Sequence, residues 1–217
     1  MLCSNCGEPI RPVVALDIDG TLGDYHGHFF DFAEQWLGRT LNTGYHGRPG
    51  FREWFALANN VSAEEYRAIK LAYRQGGMKR SMPIFSGAKM LANTIKWADA
   101  ELWVTTTRPY LSLDNIVPDT VEWLHRNSIE YDGMLFDEDK YEQLVKRVDP
   151  ERIVAVVDDL EEMCDAADEA VGRPVAILMG TRYNDAIRTR RHPIDEITVG
   201  IVPLINEWRE QHDRTVV

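Results

Sequence analysis

The chain has 217 residues, 44% of them hydrophobic and 27% charged, with a formal net charge of −11. That length accommodates one good-sized domain, or a domain with a modest insertion, and the acidic balance works against unspecific attachment to nucleic acid or an anionic membrane. No apolar run is long enough to span a bilayer, no signal-peptide core opens the chain, and the three cysteines do not form a disulfide framework, so a cytoplasmic protein is expected.

Residues 1–12 carry Cys3-Ser4-Asn5-Cys6-Gly7, which has the form of half a zinc knuckle. A structural zinc site needs four ligands, and the only other cysteine is Cys164, in a predicted helix far along the chain. His26, His28 or His46 could complete a Zn²⁺ site with Cys3 and Cys6, or two chains could share one as a homodimer. An unmetallated tail is the simpler expectation.

Val13-Val14-Ala15-Leu16-Asp17-Ile18-Asp19-Gly20-Thr21 is an apolar run ending in two acids and a glycine. It reads as a buried parallel strand feeding a tight turn, so the acids sit at the strand's carboxyl end, where open α/β sheets bind ligands. Alternation starts Asp17 and Asp19 on one face, and two carboxylates so close call for a cation or a shared proton. A hard divalent metal is the simplest partner.

From Leu22 to about Phe85 the character is helical and aromatic. Phe29, Phe32, Ala33, Trp36 and Leu37 form one apolar helical face ending near Gly38. Ser62-Ala63-Glu64-Glu65 is a capping box with Val61 and Tyr66 as its hydrophobic staple, and Gly76-Gly77 stops that helix. A Gly-, His- and Arg-rich loop from Gly44 to Gly50 leads into Phe51-Arg52-Glu53-Trp54-Phe55. These rings are mainly core residues, with Phe29, Trp54 or Tyr73 the candidates for stacking on a base.

A helix capped by Ser86 runs to Trp97, apolar at Ala88, Leu91, Ala92 and Ile95. The strand Leu102-Trp103-Val104-Thr105 follows and ends in Thr106-Thr107-Arg108-Pro109, where a hydroxyl can donate to a phosphoryl oxygen. A helix from Asp119 to about Asn127 buries Val121 and Leu124, and Met134-Leu135-Phe136 is a short strand. In Asp137-Glu138-Asp139-Lys140-Tyr141 one lysine stands among three acids at a strand-to-helix junction. Ile153 to Asp159 is a second buried strand ending in paired acids, Asp158 and Asp159. A helix from Leu160 to Val171 ends at Gly172, and Val175 to Met179 is a further strand. The loop from Gly180 to Pro193 concentrates Arg182, Arg188, Arg190, Arg191 and His192, and Thr198 to Trp208 closes the chain as a short strand and amphipathic helix.

The apolar strand with its D-x-D-G-T, the strand ending in Thr106, Lys140 and the strand ending in Asp158-Asp159 resemble, in order, the four motifs of the haloacid dehalogenase (HAD) superfamily. The Pro83-x-x-x-Gly87-Ala88 approach and the helical insertion make the pattern most similar to the 5′(3′)-deoxyribonucleotidase group and related phage and bacterial hydrolases. Arg108 and the Cys3/Cys6 tail are departures from that group. The resemblance implies an α/β fold, a doubly wound Rossmann-like parallel sheet formed by 13–21 and 86–217, with 22–85 inserted as a helical C1 cap.

It also implies roles. Asp17 would be the phosphate-accepting nucleophile and Asp19 the general acid/base. Thr106 and Lys140 would hold the phosphoryl charge, with Thr105 the rival to Thr106 and Lys146 a weaker rival to Lys140. Thr107 and Arg108 would contact substrate. Mg²⁺ would be held by Asp17, Asp158 and the backbone carbonyl of Asp19, with Asp159 supporting from behind. The implied activity is Mg²⁺-dependent phosphomonoester hydrolysis through an aspartyl-phosphate, on a nucleoside monophosphate. The alternatives are a polynucleotide 3′-phosphatase, which the acidic balance disfavours, and a catalytically idle domain that binds a nucleotide or a protein partner.

Overall fold

A computed structural model describes residues 10–46, 50–107, 113–184 and 191–213. Cys3, Cys6, Arg108, Arg188 and Arg190 lie outside the described residues. Six strands form one parallel sheet: β1 (Val13–Leu16), β2 (Glu101–Thr106), β3 (Gly133–Phe136), β4 (Ile153–Asp158), β5 (Ala176–Met179) and β6 (Arg191–His192). Their order across the sheet is β3-β2-β1-β4-β5-β6. The chain winds outward from β1 in one direction and from β4 in the other, so the switch point lies between those two strands, where a crevice opens at their carboxyl ends. This is the doubly wound α/β sheet expected from the sequence.

A parallel sheet needs both faces covered, and alternation along β1 assigns them. Val14 and Leu16 enter one cluster, with Leu91 and Ile95 of α4 (Ala88–Trp97), Trp123 and Leu124 of α5 (Ile116–Arg126), and Ile201 and Ile205 of α8 (Ile194–Asp213). Val13 and Ala15 enter the other, with Tyr141 and Leu144 of α6 (Lys140–Val145) and Ala167 of α7 (Glu161–Val171). All four β1 residues are fully buried.

Between β1 and α4 lie α1 (Tyr25–Leu37), α2 (Phe51–Asn59), α3 (Ala63–Gln75) and a 3₁₀ turn over Met78–Ser81. The Ser62 capping box forms as expected, with Ser62 Oγ accepting from Glu65 N and the Glu65 carboxylate accepting from Ser62 N. Gly38 ends α1 in the left-handed region. The buried face of α1 is Tyr25, Phe29, Phe30 and Ala33, and Trp36 is 53% exposed, contrary to the expected stripe. The reason is tertiary: Phe30 packs edge-on against Phe51 and Trp54 of α2, rotating the helix away from Trp36. Phe29 and Tyr73, two of the rings considered for base stacking, are fully buried in the core, and Trp54 is half-buried against it.

Three further expectations are corrected. Gly87, at φ 93° and without a side-chain cap, precedes α4 in place of the Ser86 cap. On α5 Val121 is 39% exposed, while Trp123 is buried and its Nε1 donates to Met82 O at 2.6 Å. The closing segment has no strand at Thr198: α8 runs continuously through Pro203, because Ile197, Ile201, Ile205 and Trp208 recur at helical spacing and line its buried face. No helix among the described residues is long and apolar enough to cross a membrane.

Candidate active site

Asp17 directly follows β1, and its backbone N–H still extends the ladder by donating to Val157 O at 3.0 Å. The chain then turns sharply: Leu22 and Gly23 donate back to Ile18 O at 3.0 and 2.8 Å, and Gly20 takes φ 98°. A side chain at Gly20 would collide with the Tyr183 hydroxyl and the Asp159 carboxylate, so glycine is required by both conformation and space. Across the switch point β4 ends in Asp158, and Asp159 follows.

Asp17, Asp158 and Asp159 are all buried, and each offers an oxygen within 4.8 Å of the others. Lys140, the first residue of α6, is 2% exposed and reaches both strand ends, with Nζ 2.6 Å from Asp17 Oδ1 and 2.7 Å from Asp158 Oδ2. Burial of Tyr141 and Leu144 pins α6 against the sheet and aims Lys140 into the crevice. Asp158 is further held by the Tyr141 hydroxyl at 2.5 Å and by Leu160 N at 3.0 Å. Lys146, the rival lysine, caps the other end of α6 and is exposed.

Burial pushes the Asp17 carboxyl up to about 7, with Asp158 and Asp19 adding to the rise and Lys140 opposing it. Burial works against the Lys140 charge as well, but Asp17, Tyr141 and Asp158 together hold its ammonium well above the usual lysine range. Asp159 is pushed well above the carboxylate range by burial and by its two acidic neighbours. Among the described residues, three buried carboxylates thus face a single ammonium. Asp19 has its own counter-charge, since its carboxylate is ion-paired with Lys79, a residue only 1% exposed. A cation of charge two would close the balance, and an all-oxygen donor set suits a hard ion such as Mg²⁺. The residues present therefore fit a divalent metal, with an Asp159 oxygen lying within reach of the same group.

Thr105 and Thr106 are both buried at the end of β2. The pairing Leu16 with Val104 sets Thr105 level with Asp17 and on the same face, and Thr105 Oγ1 has no hydrogen-bond partner among the described residues. Thr106 ends the strand, its carbonyl accepting from Asp137 N at 3.2 Å, and Thr107 follows half-buried.

Three residues here were not read as functional from the sequence. Lys79 stands just past the Gly76-Gly77 helix stop, and its ammonium lies 4.0 Å from the Tyr25 ring centroid. Tyr183 and Asn184 sit in the loop after β5: the Tyr183 hydroxyl donates to Asp159 Oδ2, and Asn184 Nδ2 donates to Met179 O at 2.6 Å and Asp159 O at 3.1 Å. The only signal in the sequence was that this loop leaves a strand's carboxyl end.

Of the histidines considered for zinc, His46 is exposed and His28 bonds the Tyr73 hydroxyl through Nδ1 at 2.8 Å. His26 lies among rings, 4.3 Å from Tyr183 and 4.5 Å from Phe51 between centroids. Cys164 is buried inside α7. Burial pushes His26 down to about 3, so the folded protein keeps it neutral while the unfolded chain protonates it below about 6.5. Unfolding then takes up a proton at His26, so the His26 contribution to stability falls as pH drops from about 6.5 towards 3, by up to about 1.4 kcal/mol per pH unit, while the raised Asp17 and Asp159 carboxyls act in the opposite sense. The difference in urea stability between the protein and His26→Phe should therefore shift in favour of the variant by that slope as pH falls.

No protein-family model matches the chain, and no curated protein matches it. Solved structures do match. A haloacid dehalogenase-like family hydrolase from Streptococcus pneumoniae superposes with a TM-score of 0.60 at 16% identity, over 88% of this chain and 98% of that one. A HAD family hydrolase from Deinococcus radiodurans, with bound phosphate and sodium, gives 0.56 at 16% identity over 90% and 97%. CbbY from Rhodobacter sphaeroides, in complex with xylulose-1,5-bisphosphate, gives 0.53 at 18% identity over 84% and 94%. The fold is that of the haloacid dehalogenase-like hydrolases. In this HAD-like fold the acids and Lys140 gather at the switch point although they come from distant parts of the chain.

Proposed function

We propose that the protein is a metal-dependent phosphomonoester hydrolase working through an aspartyl-phosphate on Asp17. The observation that carries this reading is the buried ion-paired group of Asp17, Lys140 and Asp158, joined by Asp159, at the mouth of the sheet's switch point. Asp17 Oδ attacks phosphorus and the bond to the leaving oxygen breaks, while Asp19 passes that oxygen a proton drawn from the Lys79 ammonium paired with it. Water then attacks the phosphorus of the aspartyl-phosphate, Asp19 takes its proton, and phosphate departs as the Asp17 carboxylate is restored. Lys140 offsets the phosphoryl charge from below, and Thr106 donates to a phosphoryl oxygen, with Thr105 the neighbouring hydroxyl to test against it. Mg²⁺ held by Asp17, Asp158, Asp159 and the Asp19 carbonyl would supply charge neutralisation between the nucleophile and its anionic substrate.

Residues 22–85 act in this reading as the cap, excluding water and reading the leaving group. We assign a nucleoside monophosphate as substrate, with Thr107 and Arg108 contacting it. We take the rings of His26, Tyr45, Phe51 and Tyr183, which pack on one another beside Asp159, to favour a planar leaving group. The sugar bisphosphate named for the Rhodobacter sphaeroides neighbour makes sugar phosphates the competing class.

Phosphate release from ribo- and deoxyribonucleoside monophosphates, sugar phosphates and a 3′-phosphorylated oligonucleotide, with Mg²⁺ or EDTA, tests both levels. Mg²⁺-dependent release is expected, fastest from a mononucleotide. Faster turnover of a sugar phosphate or the oligonucleotide overturns the substrate assignment alone. No release from any compound overturns the phosphatase and favours a domain that only binds.

A further inference from the structure

We propose that Tyr183 is a positioning residue that fixes Asp159 for the cation and makes cation affinity depend on how residues 22–85 sit against the sheet. The proposal rests on the metal-dependent reading above. Tyr183 is 7% exposed and meets unlike groups on its two sides. On the core side its hydroxyl donates to Asp159 Oδ2, which stops rotation of a carboxylate belonging to the acid cluster. On the other side its ring lies 4.3 Å from His26 of α1 and 5.8 Å, stacked, from Tyr45, measured between centroids.

The loop that carries Tyr183 is clamped to the same residue it orients. Asn184 Nδ2 bonds the Asp159 carbonyl and the Met179 carbonyl, while Asn184 Oδ1 accepts from Thr181 N at 2.8 Å. Gly20, between the two strand ends, leaves the space that the Tyr183 hydroxyl and the Asp159 carboxylate share. Hydrogen bonds to ligating carboxylates set their orientation, and their loss costs about 10- to 100-fold in metal affinity. Because the ring that makes this bond is seated on His26 and Tyr45, lifting those residues away would free the ring and with it the carboxylate. Seating of the helical segment and readiness of the metal site are then one equilibrium.

Titration calorimetry of the metal-free protein with Mg²⁺ tests this directly. Tyr183→Phe, which keeps the ring, is expected to raise the Kd for Mg²⁺ by about 10- to 100-fold. His26→Ala is expected to raise it as well, and to add nothing in the Tyr183→Phe background, since both act through the same hydroxyl. Excess Mg²⁺ should then restore kcat in Tyr183→Phe, which a merely structural lesion would not allow. Unchanged Mg²⁺ affinity in Tyr183→Phe overturns the positioning role, and additive effects of the two substitutions overturn the coupling. If the unaltered protein takes up no Mg²⁺, the metal-dependent reading itself falls. Should Tyr183→Phe not fold, Asn184→Ala reads the same clamp from the backbone side, with the same direction of change expected.

Discussion

Asp17→Asn is expected to lower phosphate release by about 10⁴-fold or more, to the level left when a nucleophile is removed from an intact site. The amide keeps the shape of the side chain but has no anionic oxygen to attack phosphorus, and no aspartyl-phosphate can form. Loss of folding cannot explain such a result if stability is followed alongside. Asp17 is buried beside Asp158, and burial already pushes it up to about 7. Removing one acid from a crowded group relieves repulsion, while Lys140 keeps Asp158 as a partner at 2.7 Å. In EDTA the variant should therefore melt at or above the temperature of the unaltered protein. Activity retained within tenfold would mean that another group attacks phosphorus, or that the phosphoester is cleaved by water directly. Acid-quench trapping with labelled substrate gives the complementary readout, since label should attach to the unaltered protein and not to the variant.

Lys140→Met is expected to lower stability in EDTA by about 3–5 kcal/mol at neutral pH, the range found when one partner of a buried ion pair is removed. Methionine matches the length of the lysine stem but leaves Asp17 and Asp158 facing each other without the ammonium that now touches both. A divalent cation should restore much of that loss, because it meets the same need for positive charge. Urea unfolding with and without Mg²⁺ measures both quantities. A structural salt bridge unrelated to a metal site would show the loss but no recovery with Mg²⁺. Phosphate release by the variant should also fall by about 10²- to 10³-fold, as for removal of one preorganised charge from a transition state.

Much of the fold was legible because its signals are local. Val13–Leu16 and Ile153–Val157 are unbroken apolar runs of strand length, as a strand buried on both faces carries, and both proved buried throughout. The Ser62 capping box depends on residues three apart and formed as read. Local signals failed where a neighbour decided the outcome. Trp36 had the right spacing for the core, but Phe51 and Trp54 fixed which face of α1 turned inward. Val199, Ile201 and Val202 favour strand by their branching, yet the four-residue repeat of Ile197, Ile201 and Ile205 lay against the sheet and won as helix.

The candidate site divides along the same line. The sequence by itself determined that two strands end in paired acids, that a lysine opens a helix between them in the chain, and that an α/β sheet would carry them. Those are properties of short stretches, where hydrophobic period and chain punctuation act over a few residues. Only the tertiary structure decided that Lys140 bridges Asp17 and Asp158, that Asp159 joins the cluster, and that Lys79 and Tyr183 hold Asp19 and Asp159. Lys79 and Tyr183 come from a turn and a loop away from the acids along the chain, where neither period nor cap marks them. What selects them is the need of buried charges and polar groups for partners, and that need arises only once the sheet has closed around them.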